Sequence, residues 1–162
     1  MQHAVERMTA CDLAPWEGIP DLGLYMDQVI TYVERQLRPL YGDQSQRLLT
    51  PAMVNNYVKS GLIPRPSGKK YDRPHLAMLL MVATLKQAAS IEDVSRLIGS
   101  VDGEGLRVIY ENFRGAQQRI MAQVAQQMPQ PGATAMKFAI EAVACRLACE
   151  ALLGEQARPA TE

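Results

Sequence analysis

The chain carries no net charge, since 17 Lys and Arg balance 17 Asp and Glu. Bulk electrostatics therefore point to no class of partner. Histidine is scarce: only His3 and His75 are present. No Gly-rich phosphate loop, HExxH pair or Ser-His-Asp series accompanies them. His75 opens an apolar helix, where a solvent-facing or capping role is expected, and the paired acids Glu92-Asp93 fall in a helical first turn, where the dipole accounts for them. These absences argue against an enzyme and against any cofactor. Cysteines number three, without the spacing of a disulfide framework, which favours a reducing cytoplasm. Cys145 and Cys149 stand one helical turn apart. That spacing suits a metal or redox pair, but the surrounding alanines suit small core residues, and no nearby Cys or His completes a tetrahedral set. No metal site is expected.

Long hydrophobic runs are also missing. The longest uncharged apolar stretch, Pro74 to Leu85, falls well short of the about 20 residues that a membrane span needs. The first residues lack the basic start and apolar run of a signal peptide. Aromatics make up only 6% of the chain while Met occurs nine times, so an aliphatic, Met-filled core is expected. At 162 residues there is room for one domain with an extension.

What is present is positional. Met1 to Gln46 holds seven acids and three bases, a net −4; Pro74 onward holds nine acids and eight bases, a net −1. Between them, Arg47 to Arg73 holds six bases (Arg47, Lys59, Arg65, Lys69, Lys70, Arg73) against Asp72, a net +5. The positive excess of a neutral chain thus lies in one segment. Such a patch suits phosphate contact, and it also suits a solvated loop.

Punctuation and periodicity divide the chain. Residues 1–21, with Pro15, Gly18 and Pro20, read as an irregular arm. Met26, Val29, Ile30, Val33, Leu37 and Leu40 recur at helical spacing, and Pro39 and Gly42 are expected to end or kink that helix. Thr50-Pro51 opens a short helix over 51–60 that Gly61 closes. Its face of Met53, Val54, Tyr57 and Val58 is apolar, while Asn55, Asn56 and Lys59 point away. Pro64, Pro66 and Gly68 make a stiff turn, with Lys69-Lys70-Tyr71 as a short returning strand. Asp72 caps a helix from about Arg73 to Ala89 that is apolar on nearly every side, hence central. Ser90 caps another that includes Val94, Leu97 and Ile98. A flexible link over 99–105 leads to an amphipathic helix of roughly 20 residues, where Leu106, Phe113 and Ile120 are seven apart. An alanine-rich helix runs from Thr134 to about Leu153, before a frayed tail over 155–162. The expected fold class is all-α with at most one small β-hairpin. Its domains are an arm (1–21), a central helical unit (22–100) and C-terminal helices for packing or oligomerisation (101–154).

The runs "NNYVKSGLIPRP", "GKKYDRPHLAMLL" and "SIEDVSRLI" resemble the winged helix-turn-helix of MerR-type regulators. The match is closer to the bacterial family called domain of unknown function 1836, whose members carry a comparable "TxxMVNNYVKxGLIPxPxxKKY" run. In them, a helix like "QVITYVERQLRPLY" precedes that run and "LLMVATLKQAASIEDV" follows it. The likeness covers residues 20–100, and its first helix is longer than that of MerR proteins. No MerR dimerisation or effector signature follows. The resemblance implies a winged helix-turn-helix with a β-hairpin wing, and a regulator of transcription that binds double-stranded DNA as a homodimer. Helix 51–60 would enter the major groove, with Thr50, Asn55 and Asn56 at bases or phosphates and Lys59 at a phosphate. Arg65, Lys69, Lys70 and Arg73 would form the wing over 64–73, with Tyr57 and Tyr71 either packing or touching the backbone. The rival reading is a protein-interaction module that uses the same winged helix and the alanine-rich last helix. Neither reading names a small-molecule effector.

Overall fold

The computed structural model describes residues 1–99 and 103–156. Seven α-helices carry the architecture of the described residues: α1 (Gln2–Thr9), α2 (Met26–Tyr41), α3 (Pro51–Lys59), α4 (Arg73–Leu85), α5 (Ile91–Ile98), α6 (Gly103–Gln127) and α7 (Ala135–Gln156). The all-α expectation holds. None of the described helices is long and apolar enough to cross a membrane.

Helix α4 sits in the middle, against α2, α5 and α6. Every residue from His75 to Ala83 is buried, so no side of the helix is left for water. Its start is fixed locally: the Asp72 carboxylate accepts from the His75 amide, and Pro74 occupies the first turn. The His75 ring is buried, and its Nδ1 lies 2.5 Å from the same carboxylate. His75 therefore takes the capping role, facing the core instead of solvent. Ser90 caps α5 by accepting from the Asp93 amide at 3.1 Å. Glu92 and Asp93 complement the dipole of that first turn. Helix α2 buries Val29, Val33 and Leu37 along one stripe and runs through Pro39 to Tyr41, so Gly42 and not the proline ends it.

The first 21 residues are more ordered than expected. Gln2–Thr9 is helical and lies on α6 and α2, although none of its residues is buried. The stretch after it buries Cys11, Leu13 and Ile19. It is strapped to α6: the Tyr110 hydroxyl donates to the Ala14 carbonyl at 2.7 Å, Arg114 Nε to the Leu13 carbonyl at 2.5 Å, and the Trp16 amide to Glu111 at 2.5 Å. At the other end, α7 continues through Gly154 to Gln156 instead of stopping before the glycine. Of the link expected over 99–105, residues 100–102 lie outside the described residues, as do 157–162 of the tail. Residues 103–105 belong to α6.

The expected β-hairpin is not formed. Among the described residues there is no strand, only two isolated bridges, Ser67 with Lys70 and Leu24 with Tyr71. The reason lies in the sequence. Pro64 and Pro66 have no N–H to donate, so a ladder cannot extend back from Ser67.

Candidate nucleic-acid interface

Helix α3 begins where its local signals place it. Thr50 Oγ1 accepts from the Met53 amide at 3.3 Å, and Pro51 opens the first turn. The exit is equally defined. The Ser60 amide donates to the Asn56 carbonyl, Gly61 takes a φ of 80°, and the Ile63 amide returns to the Tyr57 carbonyl at 3.1 Å. That last bond, with buried Leu62 and Ile63, fixes the direction in which the basic segment leaves the helix.

Next comes a tight reversal. The Lys70 amide donates to the Ser67 carbonyl at 2.9 Å across Gly68 (φ 54°) and Lys69 (φ 64°). Two positive φ values define a type I′ turn. Lys69 is the only described non-glycine residue with a positive φ. A lysine there costs backbone strain that Asn or Gly would largely avoid. The far side of the turn is clamped, since Leu24 and Tyr71 exchange both backbone hydrogen bonds at 2.8 Å. Gly23 makes this approach possible: a Cβ there would stand 2.9 Å from the Lys70 Cβ, closer than real contacts allow.

The ten residues singled out by sequence separate into two groups. Asn55, Asn56, Lys59, Arg65, Lys69 and Lys70 are exposed. The side chains of Lys59, Arg65 and Lys69 make no ion pair or hydrogen bond with any described residue. Lys70 places its Nζ 5.4 Å from the Tyr25 ring centroid, a cation–π contact at the surface. The other four are engaged inside the protein. Thr50 spends its hydroxyl on the cap. Tyr57 and Tyr71 are core residues, 8% and 4% exposed, and Tyr71 meets the His75 ring edge-on at 5.5 Å. Arg73 does not extend the basic surface. Its Nε donates to the Ile19 carbonyl at 3.1 Å, and its guanidinium meets Glu17 at 3.1 Å and Asp21 at 3.7 Å. These partners lie more than 50 residues away, beyond the reach of any local signal.

Burial raises the Tyr71 phenol above its ordinary range and pushes Tyr32 on α2 up to about 12. Tyr110 moves the same way, again chiefly through burial. None of these groups lies on the exposed basic surface. Among the described residues, no three His, Cys, Asp or Glu side chains gather as a metal set.

No curated protein and no solved structure matches this chain. One family model does, over residues 14–113, from the strapped arm to the middle of α6. It covers the capped α3, the basic turn and the buried α4, and on that match the chain belongs to the family described as Domain of unknown function (DUF1836).

Proposed function

We propose that the protein is a regulator of transcription that binds double-stranded DNA, acting as a cytoplasmic binding protein and not as an enzyme. One observation carries this reading. Asn55 and Asn56 stand exposed on the same short helix as Lys59, and Lys59, Arg65 and Lys69 have no counter-charge within the described protein. Unpaired cations are free to neutralise phosphates and release counterions. An exposed Asn can pair in bidentate fashion with adenine in the major groove. The division of labour follows: Asn55 and Asn56 read bases, Lys59 touches phosphate, and Arg65, Lys69 and Lys70 follow the backbone or minor groove from the turn. The strained Lys69 backbone fits that assignment, because strain of this kind collects where a side chain must be aimed. The turn takes the place of a MerR-like wing, with one bridge instead of two strands.

A homodimer belongs to this proposal. On α7, Met136, Ile140, Val143 and Leu147 are exposed large apolar residues at alternating steps of four and three. That stripe has the spacing of a two-helix seam, and a second copy would place two α3 helices on paired half-sites. The same stripe favours the second reading, an interaction module that never meets DNA.

Fluorescence anisotropy with labelled genomic fragments, repeated over a salt series, separates the two. The expected result is binding at low salt that weakens steeply as salt rises. Lys69→Ala with Lys70→Ala should reduce the slope of log affinity against log salt by about two, uniformly across sequences. Asn56→Ala should change sequence preference instead. No affinity for duplex DNA at low salt would sink the regulator reading and leave the interaction module.

A further inference from the structure

Helices α4, α5 and α6 and the C-terminal helix border a half-open cavity of about 610 Å³ that the DNA-binding proposal does not use. Its body side is built from Leu85 at the end of α4 and from Phe113, Ile120 and Met121 on α6. Helix α7 faces them with Ala142 and Cys149. Here small residues stand opposite large ones, so the helix cannot fill the space it covers. The helix is held at its far end, where buried Leu153 packs and Arg96 of α5 donates to the Leu153 carbonyl. A cavity of this volume lies within the range of small-molecule sites, about 300–1,000 Å³.

The polar groups of its wall say what it accepts. Arg146 and Glu150 pair with each other, and Asp93 is taken by Ser90 and Arg96. Thr84 and Gln87 donate to the α4 carbonyls of Leu80 and Ala83. No lining charge is therefore left to recognise an ionised ligand. Tyr41 lines the wall as well, but among the described lining residues Gln117 has the one fully buried polar side-chain atom left unpaired. It is 8% exposed, and its Nε2 is buried without a hydrogen-bond partner. A buried amide N–H left unpaired is destabilising, and a bound acceptor would relieve it.

We propose that this cavity binds an uncharged, largely apolar small molecule carrying a hydrogen-bond acceptor, with the acceptor seated at Gln117. The site is independent of DNA binding. It differs from the exposed stripe of α7, since Ala142 and Cys149 line it while Met136, Ile140, Val143 and Leu147 do not.

The test uses 6-propionyl-2-dimethylaminonaphthalene, a neutral fluorophore with one ketone, titrated into the full chain. The expected result is saturable one-to-one binding with blue-shifted emission. Ala116→Trp and Ala142→Trp fill the cavity from its two walls and should each weaken binding at least tenfold. Circular dichroism checks their helicity, and if Ala116→Trp fails to fold, Ala142→Trp on the exposed helix decides. Gln117→Leu should weaken the ketone probe by about tenfold, the upper range for one lost hydrogen bond, while naphthalene binding stays within about twofold. Leu147→Ser, on the outer stripe, should change neither. The site is overturned if the probe fails to saturate, if Ala142→Trp leaves binding intact, or if Leu147→Ser abolishes it. An equal effect of Gln117→Leu on both probes overturns the acceptor requirement.

Discussion

Helix α4 buries a continuous run from His75 to Ala83, whereas among the described residues of α7 only Leu153 is buried. Both helices are rich in Ala and Leu. The difference lies in their neighbours. Helix α4 meets α2, α5 and α6, so each side finds apolar cover. Helix α7 docks chiefly on α5 and spans a cavity for part of its length. Apolar composition thus gives a helix the capacity to be buried; the arrangement of the other elements decides whether it is.

The largest effect that would sharpen this contrast comes from trimming one leucine in each helix. Leu80→Ala should cost about 2–5 kcal/mol, because Leu80 is fully buried and its surroundings relax only partly. Leu147→Ala should cost under about 0.5 kcal/mol in dilute protein, where its side chain meets water. Urea denaturation at low concentration measures both, and similar costs would break the comparison. A smaller effect is expected at the caps. Asp72→Ala removes the acceptor for the His75 amide and should cost about 1 kcal/mol of global stability. Thr134→Ala removes the acceptor of the Lys137 amide at the start of α7. It should instead speed amide hydrogen exchange in the first turns of α7 and leave the urea midpoint nearly unchanged.

The gentlest probe is alkaline pH. Folding raises the phenols of Tyr32 and Tyr110 above the ordinary value near 10. Above that pH the unfolded chain releases protons that the native state still holds. Stability is therefore full below about pH 10 and declines as pH rises through about 12. Helix α7 contains no tyrosine, so the decline should report on the body alone. Tyr32→Phe should flatten the pH curve. It should also add modestly to stability at neutral pH, because the Tyr32 hydroxyl is buried without a partner. A pH curve unchanged by Tyr32→Phe would count against this assignment.

Elements defined by signals a few residues apart were readable from the sequence. Thr50-Pro51 with Gly61 bounded α3, and Asp72 and Ser90 marked the starts of α4 and α5. Six of the ten interface candidates are exposed for the same local reason, since they fall outside the apolar face of α3 or in a turn. What depends on distant partners was not readable. Arg73 looks like any other base of the segment until Glu17, Asp21 and the Ile19 carbonyl are brought to it. Helix α1 carries Ala4, Val5 and Met8 at helical spacing, but it is short, buries no residue and is followed by Pro15, Gly18 and Pro20, so the whole stretch reads as irregular. The cavity has no sequence signature either. It exists because Ala142 and Cys149 face Phe113 and Ile120, a pairing fixed only by how α7 lies.

The strap between the N-terminal arm and α6 bears on how the chain becomes a protein. The bonds from Tyr110 to Ala14 and from Arg114 to Leu13 join residues 96 and 101 positions apart. Closing so long a loop carries an entropic cost that helix formation alone does not repay. During synthesis the arm leaves the ribosome well before α6, so its Tyr110 and Arg114 partners emerge later. Until then Leu13 and Ile19 have no completed core to enter. The arm is therefore secured only after much of the chain that follows it has been made, and α6 is the element whose arrival fixes it.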